Sequence, residues 1–338
     1  MKELKEISIL KTIMMLLVVL YHSCLFFNGN WITTIKPVYE ANYLPIFTFW
    51  LNTFHIQTFT FASGFLFFYL KGIGKYKDIK KDIINRAKRL LLPLISTIII
   101  WVLPFYIYYY GFDLSNIFHK YVLMENPSQL WFLPMLFWQF VIFNIFYKRI
   151  KHNKIELVII SVVSILLGGI LQKLDLNYFN IAKAVQFLIY FYLGGYVYIN
   201  KEKIFKYRKV IYIIVIPLLF YSLFTYTKND VSIIKYINYI IEPILSCFEV
   251  TALYFVFDYL VNIKKINFNN KFVKILSDNS FGIYLFHQQI IMITITIFNG
   301  LVHPIIQCLL SFIISISISL LITLLLKKNK ITKYMFGL

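Results

Sequence analysis

Apolar residues in this chain come in runs about as long as a bilayer is thick. A helix needs about 20 such residues to cross the hydrocarbon core. Ten stretches meet or nearly meet that length: 7–27, 43–70, 90–110, 128–147, 155–172, 181–200, 210–226, 239–261, 281–300 and 305–326. Hydrophobic residues make up 59% of the 338 and charged residues only 14%. So little polar surface cannot coat a water-soluble core. The expected fold is an all-α integral membrane protein of about ten transmembrane helices. It forms one membrane-embedded domain over residues 1–338, with no appended soluble domain. The second stretch is longer than a simple span requires, so it is expected to tilt or to begin with a re-entrant piece. The first is as long as a full span and lacks a small-residue cleavage site, which argues against a removable signal peptide.

The formal charge is +19. In a soluble protein that surplus would point to nucleic acid. Here the placement of the charges speaks first. With a cytoplasmic N-terminus, the inside segments carry 27 of the 34 basic residues. The outside loops carry Lys36, Lys120, Lys173, Lys228 and Lys235. By the positive-inside rule both termini are cytoplasmic and the number of crossings is even. The surplus then sets orientation and meets the anionic lipid of a cell membrane, expected to be a bacterial plasma membrane. A nucleic-acid partner has no soluble basic module to bind. Cys24, Cys247 and Cys308 lie far apart in apolar runs. They give no disulfide framework or zinc spacing, and no metal is expected.

Ionisable groups within spans are costly and mark functional candidates. In the first span, ten residues separate Lys11 from His22. Eleven helical steps close roughly 20° past three full turns and rise roughly 16.5 Å. The two side chains therefore share a face, Lys11 near the cytoplasmic end and His22 in the outer half. A snorkelling anchor and a packing histidine would be the bland alternatives. His55 opens the next polar stretch from the outer side, so it can reach the depth of His22. Ser63-Gly64, further along, permits close helix approach. A neutral imidazole can take a proton from a hydroxyl near neutral pH. At the cytoplasmic end of the third span stand Arg86, Lys88 and Arg89. Arg86 and Arg89 face the same way on a helix. They serve either as ordinary positive-inside charge or as a phosphate-binding fork. Trp131 begins the fourth span beside Pro134. Glu242 and Glu249 fall within the eighth span, with Lys183 a possible counter-charge. Ser280 is a candidate N-cap for the ninth span, which carries His287. His119, His152 and His303 fall in expected loops and read as surface residues.

Taken in order, several segments resemble the membrane-bound acyltransferase family 3, whose members O-acylate sugars. They are Lys11 with His22, the stretch from Phe54-His55 to Ser63-Gly64-Phe65, Arg86 with Arg89 before Leu90-Leu91-Leu92-Pro93, and Leu130-Trp131-Phe132-Leu133-Pro134. Tyr192-Leu193-Gly194-Gly195 and the stretch from Ser280 to His287 complete the set. The likeness is nearest to the branch of fucose 4-O-acetylase-like enzymes. Lys11 stands where the family usually has arginine, keeping the charge without the bidentate fork. The resemblance implies transfer of an acetyl or other short acyl group from cytoplasmic acyl-CoA to a hydroxyl of a cell-surface or lipid-linked glycan. On that reading His22 and His55 are catalytic. Lys11, Arg86, Lys88 and Arg89 hold the donor. Trp131, Glu249 and His287 face the acceptor. Two non-enzymatic readings compete: a glycan transporter or flippase, and a subunit of an export machine.

Overall fold

The computed structural model describes residues 4–29, 31, 34–75, 78–227, 232–266 and 270–338. Lys228 and the side chain of Lys235, counted above with the outer loops, lie outside the described residues. No strand occurs among those described. The principal helices are α1 (Lys5–Leu25), α2 (Tyr43–Asn52), α3 (His55–Gly72), α4 (Ile79–Tyr110), α5 (Phe132–Phe146), α6 (Lys154–Lys173), α7 (Leu188–Phe205), α8 (Arg208–Tyr226), α9 (Ser232–Asp258), α10 (Lys271–Phe298), α11 (Pro304–Leu326) and α12 (Lys330–Met335).

Local sequence sets several of the starts. Asp78, Asn153 and Asn270 each accept a hydrogen bond from a backbone N–H in the first turn of α4, α6 and α10. Such caps satisfy amides that have no partner within the helix. α10 therefore begins nine residues before Ser280, after its cap at Asn270. That residue is not an N-cap; it lies inside the helix and donates to the Ser277 carbonyl at 2.9 Å.

Among the described residues, eight helices are long and apolar enough to cross a membrane. The chain is a multi-pass membrane protein. Of the ten expected spans, the two that fall short in apolarity are α3 and the span containing α7. Burial explains the shortfall, since most of α3 and the first half of α7 are enclosed by other helices and need not dissolve in lipid. Their approach depends on glycine. A Cβ on Gly64 would overlap the backbone carbonyl of Phe191, and one on Gly194 would overlap that of Phe61. Small residues let the two backbones meet directly. The helix rim shows the opposite pattern. Only 11% of the apolar window of α6 is buried, against 72% for α10.

The stretch 43–70 is two helices. The chain breaks at Thr53-Phe54, where Thr53 N donates to Trp50 O at 3.1 Å and Phe54 N to Leu51 O at 3.4 Å, and side chains add to these bonds. The Thr53 hydroxyl donates to Trp50 O at 2.7 Å, and the His55 Nδ1–H donates to the Leu51 carbonyl. His152 is also not a plain surface residue. It is half-buried, stacked on Tyr192 with ring centres 5.7 Å apart and edge-on to Phe68 at 4.6 Å.

Candidate active site

α1 and α10 are parallel neighbours. Near their starts the Ser8 and Ser277 hydroxyls are 3.1 Å apart. Further along, His22 Nδ1 and His287 Nε2 are 3.0 Å apart. Elementary hydrogen-bond logic fixes the protons on this pair. His287 Nδ1 faces two backbone carbonyls, Tyr284 O at 2.8 Å and Ile283 O at 3.2 Å. Carbonyls only accept, so Nδ1 carries the hydrogen. In a neutral ring Nε2 is then a lone-pair acceptor. His22 Nδ1 must therefore be the donor across the 3.0 Å contact. That leaves the lone pair of neutral His22 on Nε2. His287 is fully buried, whereas His22 keeps partial exposure on the wall of a cavity.

Two cavities approach this pair from opposite ends of the bundle. The inner one, about 460 Å³, opens at the basic end. Lys11, Arg86, Arg89 and Lys327 lie on its walls there, with Asp278 the acid among the lining side chains. Asp82 holds the Arg86 Nε at 3.3 Å, and the guanidinium lies 3.9 Å from the centre of the Phe140 ring. Lys327 Nζ donates to Asp278 O at 2.9 Å and Asn279 Oδ1 at 2.7 Å. Deeper in, the walls turn apolar and end at Val18, Phe132 and Tyr284. This order suits a ligand with an anionic head and a slender, less polar arm.

The outer cavity, about 630 Å³, is lined by His22, by aromatic side chains that include Trp31, Trp131 and Tyr106, and by Gln129, Gln288 and Gln289. A buried network ties these amides to α10. Gln129 donates from its backbone N to Gln288 Oε1 at 3.0 Å and from Nε2 to Gln289 Oε1 at 2.9 Å. Tyr284 Oη donates to Gln129 O at 2.6 Å. The turn Ser128–Trp131 is thereby fixed against α10, which orients Trp131. Flat rings and planar amides are the chemistry that grips the C–H faces and hydroxyls of a polyol.

The two cavities almost meet at the histidines. Val18 on the inner wall is one helical turn before His22 on the outer wall, and Phe132 adjoins Trp131 in sequence. Tyr284 on the inner wall likewise precedes Gln288 on the outer wall by one turn.

The candidate residues fall into three groups. Lys11, Arg86 and Arg89 converge on the inner cavity, and His22 and Trp131 on the outer one. His55, buried at 1% exposure, is on the wall of neither. Its ring contacts Tyr21 at 4.8 Å, and Tyr21 in turn contacts His22 at 5.2 Å. His287 stands behind His22 rather than on a cavity wall. Lys88 is exposed on α4, pointing away from the inner cavity. Glu249 is buried and lines neither cavity. Sequence reasoning missed the three glutamines. Their signal was faint: two adjacent amides, Gln288 and Gln289, one residue after His287 in an otherwise apolar run.

A family model described as an acyltransferase domain, acyltransferase family 3, matches residues 4–324. No curated protein and no solved structure matches the chain.

Proposed function

The chain belongs to acyltransferase family 3, and on that premise we propose that it carries a short acyl group, acetyl by default, from cytoplasmic acyl-CoA to a hydroxyl of a cell-surface or lipid-linked glycan. The membrane would be a bacterial plasma membrane, with the basic end in the cytoplasm. The observation that carries this reading is the His22–His287 pair, set where a cationic cavity and an aromatic, amide-lined cavity approach each other.

The donor's phosphates would rest against Lys11, Arg86 and Arg89, and its arm would follow the apolar wall toward Val18. The acceptor sugar would stack on Trp131 and hydrogen-bond the glutamines. His22 Nε2 takes the proton of the acceptor hydroxyl. The freed oxygen attacks the thioester carbonyl, forming the new C–O bond. The C–S bond then breaks, and the leaving thiolate receives the proton back from His22. Through this cycle the lone pair on His287 Nε2 accepts from His22 Nδ1–H and steadies the transient imidazolium. His55 acts as a positioning residue through Tyr21.

Protein reconstituted with labelled acetyl-CoA tests the proposal. Acyl-CoA consumption that requires His22 supports it. Glycan flux without dependence on CoA would replace it with a transporter. A trapped acyl-protein that disappears in His22→Ala would show a covalent relay on the same nitrogen.

A further inference from the structure

Among the described residues, Lys120 is the one lysine, arginine or carboxylate side chain that lines the outer cavity, and its charge is positive. Lys120 lines the cavity, half-buried, with Nζ 5.0 Å from the centre of the Tyr106 ring and 6.0 Å from that of Tyr110. No carboxylate lines that cavity, and no ion pair to Lys120 occurs among the described residues. The acid nearest in its own segment, Glu125, is engaged elsewhere, with His119 Nδ1 at 2.9 Å. Burial alone holds the Lys120 ammonium below the ordinary lysine range; no charged neighbour offsets it. A desolvated cation is costly unless paired, and two tyrosine faces compensate only part of that cost. The adjoining lateral cavity, of about 330 Å³, shares the Trp131 wall and makes the contrast. Its cation, Lys183, has Glu242 on the same lining, so that cavity carries both signs.

We propose that the outer cavity takes a sugar bearing an anionic group, carboxylate or phosphate, and that Lys120 is the residue that reads that charge. The identification of the sugar as acyl acceptor rests on the acyltransferase reading; the anion selectivity does not. A neutral sugar would fill the aromatic and amide walls and leave the ammonium without a counter-charge. An anionic one completes the site with a charge-assisted hydrogen bond.

Trp31 and Trp131 on the wall supply the readout. Purified protein without acyl-CoA is titrated with methyl glucoside, methyl glucuronide and glucose 1-phosphate while tryptophan fluorescence is followed. At least one anionic sugar is expected to bind about tenfold more tightly than the glucoside, with the preference shrinking as salt is added. Whichever anion leads identifies the group as carboxylate or phosphate. Lys120→Met should bring the anionic and neutral sugars to within about twofold, whereas Lys120→Arg and Lys183→Met should retain the preference. If neither anion binds more tightly than the glucoside, or if Lys120→Met leaves the preference intact, the proposal is overturned. Acyl transfer is scored separately on the same protein preparations after labelled acetyl-CoA is added. Its absence alongside a Lys120-dependent anion preference would sink the acyltransferase reading and leave this one standing.

Discussion

The inner and outer cavities approach each other near the His22–His287 pair and have little else in common. The inner one has four cationic side chains at its mouth and apolar walls beyond. The outer one has aromatic rings, three glutamines and a single lysine. The inner end is thus built to hold a compact, highly charged head by Coulomb attraction and forked hydrogen bonds. The outer end suits a polyhydroxyl face held by stacking and amide contacts, with Lys120 beside it to meet an anionic group. A transporter moves one solute past both ends, so its two vestibules should resemble each other chemically. The mismatch between these two fits two different molecules that meet midway.

Mutations at the junction should hit hardest, because they remove the base that acts where the two bound molecules would meet. His22→Ala is expected to lower kcat about 10³-fold with both KM values little changed, measured with labelled acetyl-CoA. His287→Ala should cost about 10²-fold, and His287→Gln should recover part of it, since an amide oxygen can still accept from His22 Nδ1–H. Equal loss in the Ala and Gln variants would contradict the proton assignment. Next in size come changes that touch one half only. Arg89→Ala or Lys11→Met should raise the KM for acyl-CoA about tenfold and leave the acceptor KM alone. Trp131→Ala should do the reverse, raising the acceptor KM about fivefold. If either set moved both constants together, the two cavities would not be separate binding sites. Smallest of all is Lys88→Ala, expected to stay within about twofold of wild type because the side chain, unlike that of Arg89, does not line the inner cavity.

Some of this was legible in the sequence for a physical reason. Membrane thickness imposes span length, so the apolar runs declare most of the helices. Helical periodicity put Lys11 and His22 on one face, and they do line the inner and outer cavities from the same helix. The spacing of Arg86 and Arg89 likewise survives as two neighbours on one wall. What escaped depends on which helices touch. His22 and His287 are 265 residues apart, and no local pattern says that α1 and α10 run side by side. His55 shows the same limit from the other direction. Its depth matched that of His22, yet the break between α2 and α3 directs its Nδ1–H to the Leu51 carbonyl. Ser280 misled because it resembles a cap, while Asn270, ten residues earlier, performs that task for α10.

Transfer from one face of the membrane to the other makes sidedness the decisive property. Sealed proteoliposomes would hold neutral and anionic methyl glycosides in the lumen, with labelled acetyl-CoA added outside. Labelled ester is expected on luminal glycoside, in wild type and not in His22→Ala, with the vesicles still impermeable to the donor. Label found only on glycoside placed in the same compartment as the acetyl-CoA would contradict that expectation.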